Sequence, residues 1–451
     1  MPIVSIIGPK GGIGKTTISL NTAAALTQSL HAGSSASAQA RGGAIRGDAP
    51  QVCLIDLDLR LPTLSSLLDS HPNKTFYDLF ETLANRTYQV DFLRTIYHIA
   101  TWFKGYLEGS VPAQDEKLVR CLAWYKNLNA DLFRFSDFRF GDQVHELFLH
   151  RGKIHSPENL KILAPVLDAL DLKKFKEELK GREDNAWPVA EEYIKYIEEY
   201  GFSILGGEIP ILGKKNHRKR INEPEFLLLF LEVLNGVFRK FDYVILDTPA
   251  GGVNHLSSLM NCIDHVLFVF DLSNNIAVNG SVDAIHSFID YYEDFYDDFV
   301  SGKLTGLDKA YVNRLVAEKG ERAVRESLEN KKFSLIFNRC QEEREITGGL
   351  NQLREYLDTL DKLEKYKNRI HIAGLVPHHK VINIANNRGA LFYNKDRNLT
   401  ERMDQVAVNI VDKNAHCPSL AAGNRAVLDY LRKQGWMGFA KKLHRVASSL
   451  T

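Results

Sequence analysis

Gly8-Pro9-Lys10-Gly11-Gly12-Ile13-Gly14-Lys15-Thr16-Thr17 decides how this chain is read. A short apolar run, Ile3 to Ile7, precedes it, and a helix-like run carrying Leu20, Ala23, Ala24, Ala25 and Leu26 follows. A strand, a glycine-rich turn and a helix start form the setting in which backbone N–H groups cradle a phosphate. Glycines suit the turn because a side chain would hold the backbone away from phosphate oxygens. Lys15 is placed to give a point charge to terminal phosphates, and Thr16 to give a hydroxyl ligand to Mg²⁺. The common phosphate-loop pattern wants a glycine five residues before Gly14, and Pro9 stands there.

Bulk properties set the limits. The chain has 451 residues, 44% hydrophobic and 25% charged, enough for one large domain with insertions or for two or three domains. Net charge is +1, so contact with a polyanion would have to come from a local patch. The five cysteines, Cys53, Cys121, Cys262, Cys340 and Cys417, are scattered without a CxxC pair, which reads as reduced thiols rather than a disulfide framework or zinc site. The first residues read as a strand, not a secretion leader. The densest apolar run, Phe226 to Leu234, is interrupted by Glu232 and too short to span a bilayer. A cytoplasmic protein is expected, with peripheral contact to a membrane or nucleoid left open.

Further along, Val52-Cys53-Leu54-Ile55 reads as a buried strand ending in Asp56-Leu57-Asp58, and Tyr243-Val244-Ile245-Leu246 as another ending in Asp247-Thr248-Pro249-Ala250-Gly251. Carboxylates at the C-terminal ends of parallel strands sit where ligands bind in open α/β sheets. His265 to Phe270, Phe333 to Phe337 and Ile370 to Pro377 are further apolar strands, and Asn159 to Ala164 reads as one more. Each is followed by helix, which implies a mostly parallel, twisted α/β sheet with helices on both faces.

With Lys10 to Thr17 complete as Lys-Gly-Gly-x-Gly-Lys-Thr-Thr, and with the two aspartate-ended strands behind it, the chain resembles the ParA/MinD family of deviant Walker A ATPases. The resemblance implies ATP and Mg²⁺ as ligands, with Gly11, Gly12, Ile13, Gly14, Lys15, Thr16 and Thr17 around the phosphates. It implies that Lys10 reaches across an ATP-dependent homodimer to the partner's nucleotide and that Asp58 positions the attacking water. Thr16, Asp56 and Asp247 would serve the metal and its water shell. Thr248 to Gly252 would be a loop that senses the γ-phosphate. Asn338 and the loop at Pro377 would meet the adenine. Two cargo-positioning outputs fit such a switch, partition of DNA and placement of a protein or membrane assembly. A nucleotide-binding scaffold, a cargo-loading ATPase with little turnover and a bacterial-type tyrosine kinase are the other readings.

Parts of the chain have no counterpart in a minimal family member. Core residues are expected at 1–83 and 157–451, with an inserted aromatic-rich helical subdomain at 84–156. The spacing of Phe92, Ile96, Ile99 and Phe103 is helical, and a helix and turn are expected over Leu64 to Leu83. The aromatic residues of the insert build its own core or, over Leu132 to Phe140, offer a partner-binding edge. Extra helices are expected at about 165–222 and 290–332. Lys214 to Arg220 holds six basic residues in seven, counting His217, and is open to two readings, contact with DNA or an anionic membrane, or a solvated loop. The last helix, near 424–450, carries a basic amphipathic pattern that suits a membrane interface or docking on the sheet. His378 and His379 are adjacent and cannot share a face, which argues against a metal site there.

Overall fold

The computed structural model describes residues 2–9, 12–38, 50–57, 64, 76–110, 140, 142–143, 145–146, 164–183, 190–207, 240–249, 263–359, 364–388, 390–411 and 416–436. In chain order the elements are β1 Ile3–Ile7, α1 Lys15–Ala38, β2 Val52–Asp56, α2 Phe76–Leu107, α3 Ala164–Ala169, α4 Leu172–Glu183, β3 Lys195–Ile197, β4 Phe202–Leu205, β5 Tyr243–Asp247 and β6 His265–Asp271. Then come α5 Asn275–Val300, α6 Gly306–Lys319, α7 Glu321–Glu329, β7 Lys332–Cys340, α8 Glu343–Leu357, α9 Tyr366–Arg369, β8 Ile370–Pro377, α10 Lys380–Asn387, α11 Arg397–Val411 and α12 Asn424–Leu431. The chain forms two compact units, Met1–Tyr77 with Tyr193–Thr451, and Asp78–Glu192.

In the first unit eight strands run in the order β3-β4-β2-β5-β1-β6-β7-β8. Every pairing is parallel except that of β3 with β4. Continuous apolar runs such as Ile3–Ile7 are what a strand covered on both faces requires, and all five of these residues are buried. The two-residue period then sorts them. Val4, Ile6, Leu54, Ile245, Leu267 and Ile336 share a core with Leu20, Ala23, Ala24 and Leu26 of α1 and with Met403 and Val406 of α11. The alternate residues meet α5 and α8. Phe268 lies edge-on to Phe288 at 5.5 Å, and Phe333 edge-on to Tyr292 at 5.5 Å. Close packing leaves no room at Gly349, where a Cβ would stand 2.8 Å from Phe270.

The acidic stretch Ala190 to Tyr200, expected to be helical, is instead half of a hairpin. Lys195–Ile197 pairs antiparallel with Phe202–Leu205, and Gly201 makes the turn at φ +77°. Tyr196, Ile197, Phe202 and Ile204 are strand-forming residues, and burying Phe202 and Ile204 beside α1 overrides the helical charge pattern. β4 then takes the place beside β2. Ala164, expected to end a strand, opens α3, and Asn159 to Leu163 lie outside the described residues. The expected turn near Leu83 is absent, because α2 runs unbroken through it. Beyond α12 a π-turn covers Arg432–Trp436, and the rest of the terminal helix predicted near 424–450 lies outside the described residues.

Both edges of the sheet are finished differently from its middle. β3 is three residues long. Along β8 the segment at Pro418–Leu420 bridges antiparallel to His371, accepting from Ile372 N–H at Pro418 O (2.9 Å) and donating from Leu420 N–H to Ile370 O (2.7 Å). Arg354 of α8 holds that strap by donating to the carbonyls of Leu420 and Ala422, each at 2.6 Å.

In the second unit, Phe92, Ile96, Ile99 and Phe103 of α2 are all buried, as their spacing predicts, in one cluster with Leu167, Phe175 and Leu179. Phe140 tilts against Phe175 at 5.4 Å. These aromatics build a core. The rest of the alternating aromatic segment, Leu132 to Arg139, lies outside the described residues.

Candidate nucleotide site

Because β1, β2, β5, β6, β7 and β8 are parallel, their C-terminal ends share one rim of the sheet. The phosphate-type loop leaves β1 there, and α1 starts at Lys15. Gly12 and Gly14 hold φ of +80° and +93°, and a Cβ on Gly14 would come within 2.6 Å of Asn338 Nδ2. Both conformations favour glycine. The loop also folds tightly on itself, since a Cβ on Gly8 would lie 2.2 Å from Ile13 Cδ1.

Lys15 is buried at the start of α1, where backbone N–H groups and its ammonium favour an anion. Asp56 and Asp247 end neighbouring strands and are direct partners in the parallel ladder, and both are buried. Asp56 accepts the Leu64 N–H at 3.3 Å, and Leu57 N–H reaches Asp247 O at 2.9 Å. Ser19, one turn beyond Lys15, donates its hydroxyl to Asp247 Oδ1 at 2.8 Å and thereby orients that carboxylate. Thr248, expected to sense phosphate, gives its hydroxyl to Ile6 O at 2.6 Å.

On the other side of the loop the ends of β7 and β8 meet it. Asn338 donates Nδ2 to Ile13 O at 2.5 Å, and Arg339 donates to Gly12 O. Arg339 also pairs with the buried Asp271 at 3.5 Å. Its φ of 58° costs a non-glycine residue roughly 1 kcal/mol. Thr17 donates to Asn386 of α10 at 3.2 Å. Gly14, Thr17, Asn338, Pro377, His379 and Asn383 are among the residues that line one pocket against this loop. Burial pushes the His379 imidazole below its ordinary pKa. Beneath β8, burial also lowers the Arg402 guanidinium to about 10.

No family model matches this chain, and no curated protein does. Among solved structures it is similar to the MinC:MinD cell division protein complex of Aquifex aeolicus, at 13% identity over 91% of this chain and 96% of that chain, with a TM-score of 0.41. It is similar to a McdA–ATP complex of Cyanothece at 11% identity (91% and 95% covered, TM-score 0.43). It is similar to a ParA family ATPase of Chlorobium tepidum at 11% identity (90% and 98% covered, TM-score 0.40).

The structure brings Gly12, Ile13, Gly14, Lys15, Thr16, Thr17, Asp56, Asp247, Asn338 and Pro377 to the same rim. Lys10, Gly11, Asp58 and the run Lys214 to Arg220 lie outside the described residues. Ser19, Arg339 and Asn386 escaped the sequence reading. The first carries no motif of its own, and the other two announce themselves only through strands and helices far away in sequence.

Among the described residues no group of three or more His, Cys, Asp or Glu could hold a metal by itself, and no helix is long and apolar enough to cross a membrane. The oxygen donors Thr16, Asp56 and Asp247 still fit Mg²⁺, which binds few protein oxygens and keeps waters and substrate phosphates as its remaining ligands.

Proposed function

We propose that this chain is a Mg²⁺-dependent ATP-hydrolysing switch that positions or partitions a cargo. One observation carries the reading. A glycine-shaped loop with a buried lysine stands beside two buried carboxylates that are in register on neighbouring strands. The loop N–H groups and Lys15 bind the phosphates and stabilise charge on the transferred phosphoryl group. Mg²⁺, when bound, neutralises phosphate charge. Thr16 supplies a hydroxyl to it, while Asp247, oriented by Ser19, and Asp56 hold its waters. Asp58 orients the attacking water, and Lys10 serves the nucleotide of a second subunit, so ATP brings two copies together and hydrolysis releases them. The pocket between Asn338 and Pro377 takes the base. Lys214 to Arg220 and the terminal helix are the candidate contacts to DNA or an anionic membrane, and the cargo or regulator is a further protein.

The test is turnover and ATP-dependent dimerisation for wild type, Lys10→Ala, Lys15→Ala and Asp58→Ala, with and without duplex DNA and anionic vesicles. Phosphate release by wild type and its loss in Lys15→Ala and Asp58→Ala is the expected result. A Lys10→Ala protein that dimerises and hydrolyses normally removes the trans-lysine step. ATP binding without phosphate release would replace the switch by a scaffold.

A further inference from the structure

Neighbouring residues of a strand point to opposite faces, yet Asn338 and Arg339 both grip the same loop. The backbone shows how. Arg339 takes φ 58°, in the left-handed region, and the β7–β8 register breaks between Asn338 and Cys340. That twist turns Arg339 off the strand's alternation and towards Gly12. Behind it, Asp271 at the end of β6 accepts from Ser273 N–H at 3.0 Å and pairs with the guanidinium at 3.5 Å. Arg339 therefore ties the end of β6 to the loop.

A trans peptide is planar, so fixing a carbonyl fixes the N–H on the other side of the same plane. A donor on Gly12 O sets the direction of the Ile13 N–H. A donor on Ile13 O sets that of the Gly14 N–H. These two N–H groups belong to the concave stretch that a phosphate enters, and the positive φ of Gly12 and Gly14 gives the alternating curvature such a stretch needs.

We propose that Arg339 is a positioning residue that aims the phosphate-binding N–H groups before nucleotide arrives, with Asn338 as its neighbour in the task and Asp271 as its anchor. This rests on the nucleotide reading of the loop. It adds that the loop is preorganised from outside, by two consecutive side chains acting on two consecutive carbonyls.

The variants are Arg339→Asn, which tolerates left-handed backbone but is too short to reach Gly12, and Arg339→Lys, which restores a donor. Amide hydrogen exchange without nucleotide comes first. In Arg339→Asn the peptide carrying Gly12 to Thr17 exchanges about tenfold faster, peptides of β6 and β7 keep their wild-type rates, and Arg339→Lys recovers part of the protection. Calorimetry then shows ATP and ADP binding about tenfold weaker in Arg339→Asn, and Arg339→Lys recovers part of the affinity. Unchanged exchange in the loop peptide overturns the proposal. So does an equal rise across β6 and β7, which marks a general support of the fold. If the loop loosens while wild type binds no ATP, the tether stands and the ATP reading falls.

Discussion

The two rims of this sheet are built from the same kinds of residues and do opposite things with them. At the N-terminal rim, polar side chains among the described residues find local partners, several of them at strand starts. Asp264 accepts the Ile3 N–H at 2.8 Å, Asp242 accepts the Gln51 N–H at 2.8 Å, and Lys331 donates to Ile263 O. His265 meets Ser334 at 2.7 Å, and the buried Glu293 accepts from Tyr366 and pairs with Lys365 at 2.6 Å. At the C-terminal rim the polar groups converge instead. Lys15, Asp56, Asp247, Asn338 and Asp271 are all buried around one loop. Local matching distributes the cost of desolvation and stabilises the fold. Convergence concentrates charge where a charged ligand can be held. Location on the rim, not residue type, separates the two roles.

Substitutions on either rim test that division. The largest effect is expected at the C-terminal rim: Lys15→Ala should abolish phosphate release, a loss on the order of 100-fold or more, while the thermal midpoint moves little. Gly14→Ala follows. Its φ of +93° and the 2.6 Å approach to Asn338 predict a loss of nucleotide affinity in titration calorimetry together with a stability cost of about 1–2 kcal/mol. At the opposite rim, burial pushes the His265 imidazole down to about 3. The unfolded chain takes up this proton below about pH 6.5 and the folded chain does not, so stability contributed by the neutral ring is present above that pH and is lost as pH falls towards 3. The slope is up to about 1.4 kcal/mol per pH unit, and His265→Gln should flatten it in denaturant titrations run from pH 7 to pH 4. The smallest effect is Asp264→Ala, about 1 kcal/mol of stability by urea unfolding with turnover unchanged. Loss of turnover in Asp264→Ala would break the contrast between the rims.

Much of this was legible in the chain itself. Ile3–Ile7, Tyr243–Asp247 and Ile370–Pro377 are strands over the residues their apolar runs mark, because a strand buried on both faces has no polar alternation to blur its limits. Asp56 and Asp247 are neighbours as their matching positions at strand ends imply. The hairpin Lys195–Leu205 was not legible, since its charges repeat at helical spacing and only the vacancy beside β2 makes Phe202 and Ile204 a strand. Arg339 was hidden for another reason. Its task depends on one backbone angle and a carbonyl 327 positions away, neither of which leaves a mark in a local pattern.

The strap along β8 and the three-residue β3 have a consequence for assembly. An open strand invites a second chain to extend the sheet, and among the described residues neither end of this sheet offers one of useful length. Copies of this protein that associate must therefore do so through side chains, across surfaces that can part again, and not by fusing their backbones into a continuous ribbon. Contacts of that kind let go when a ligand changes, whereas a shared ladder of backbone bonds would not.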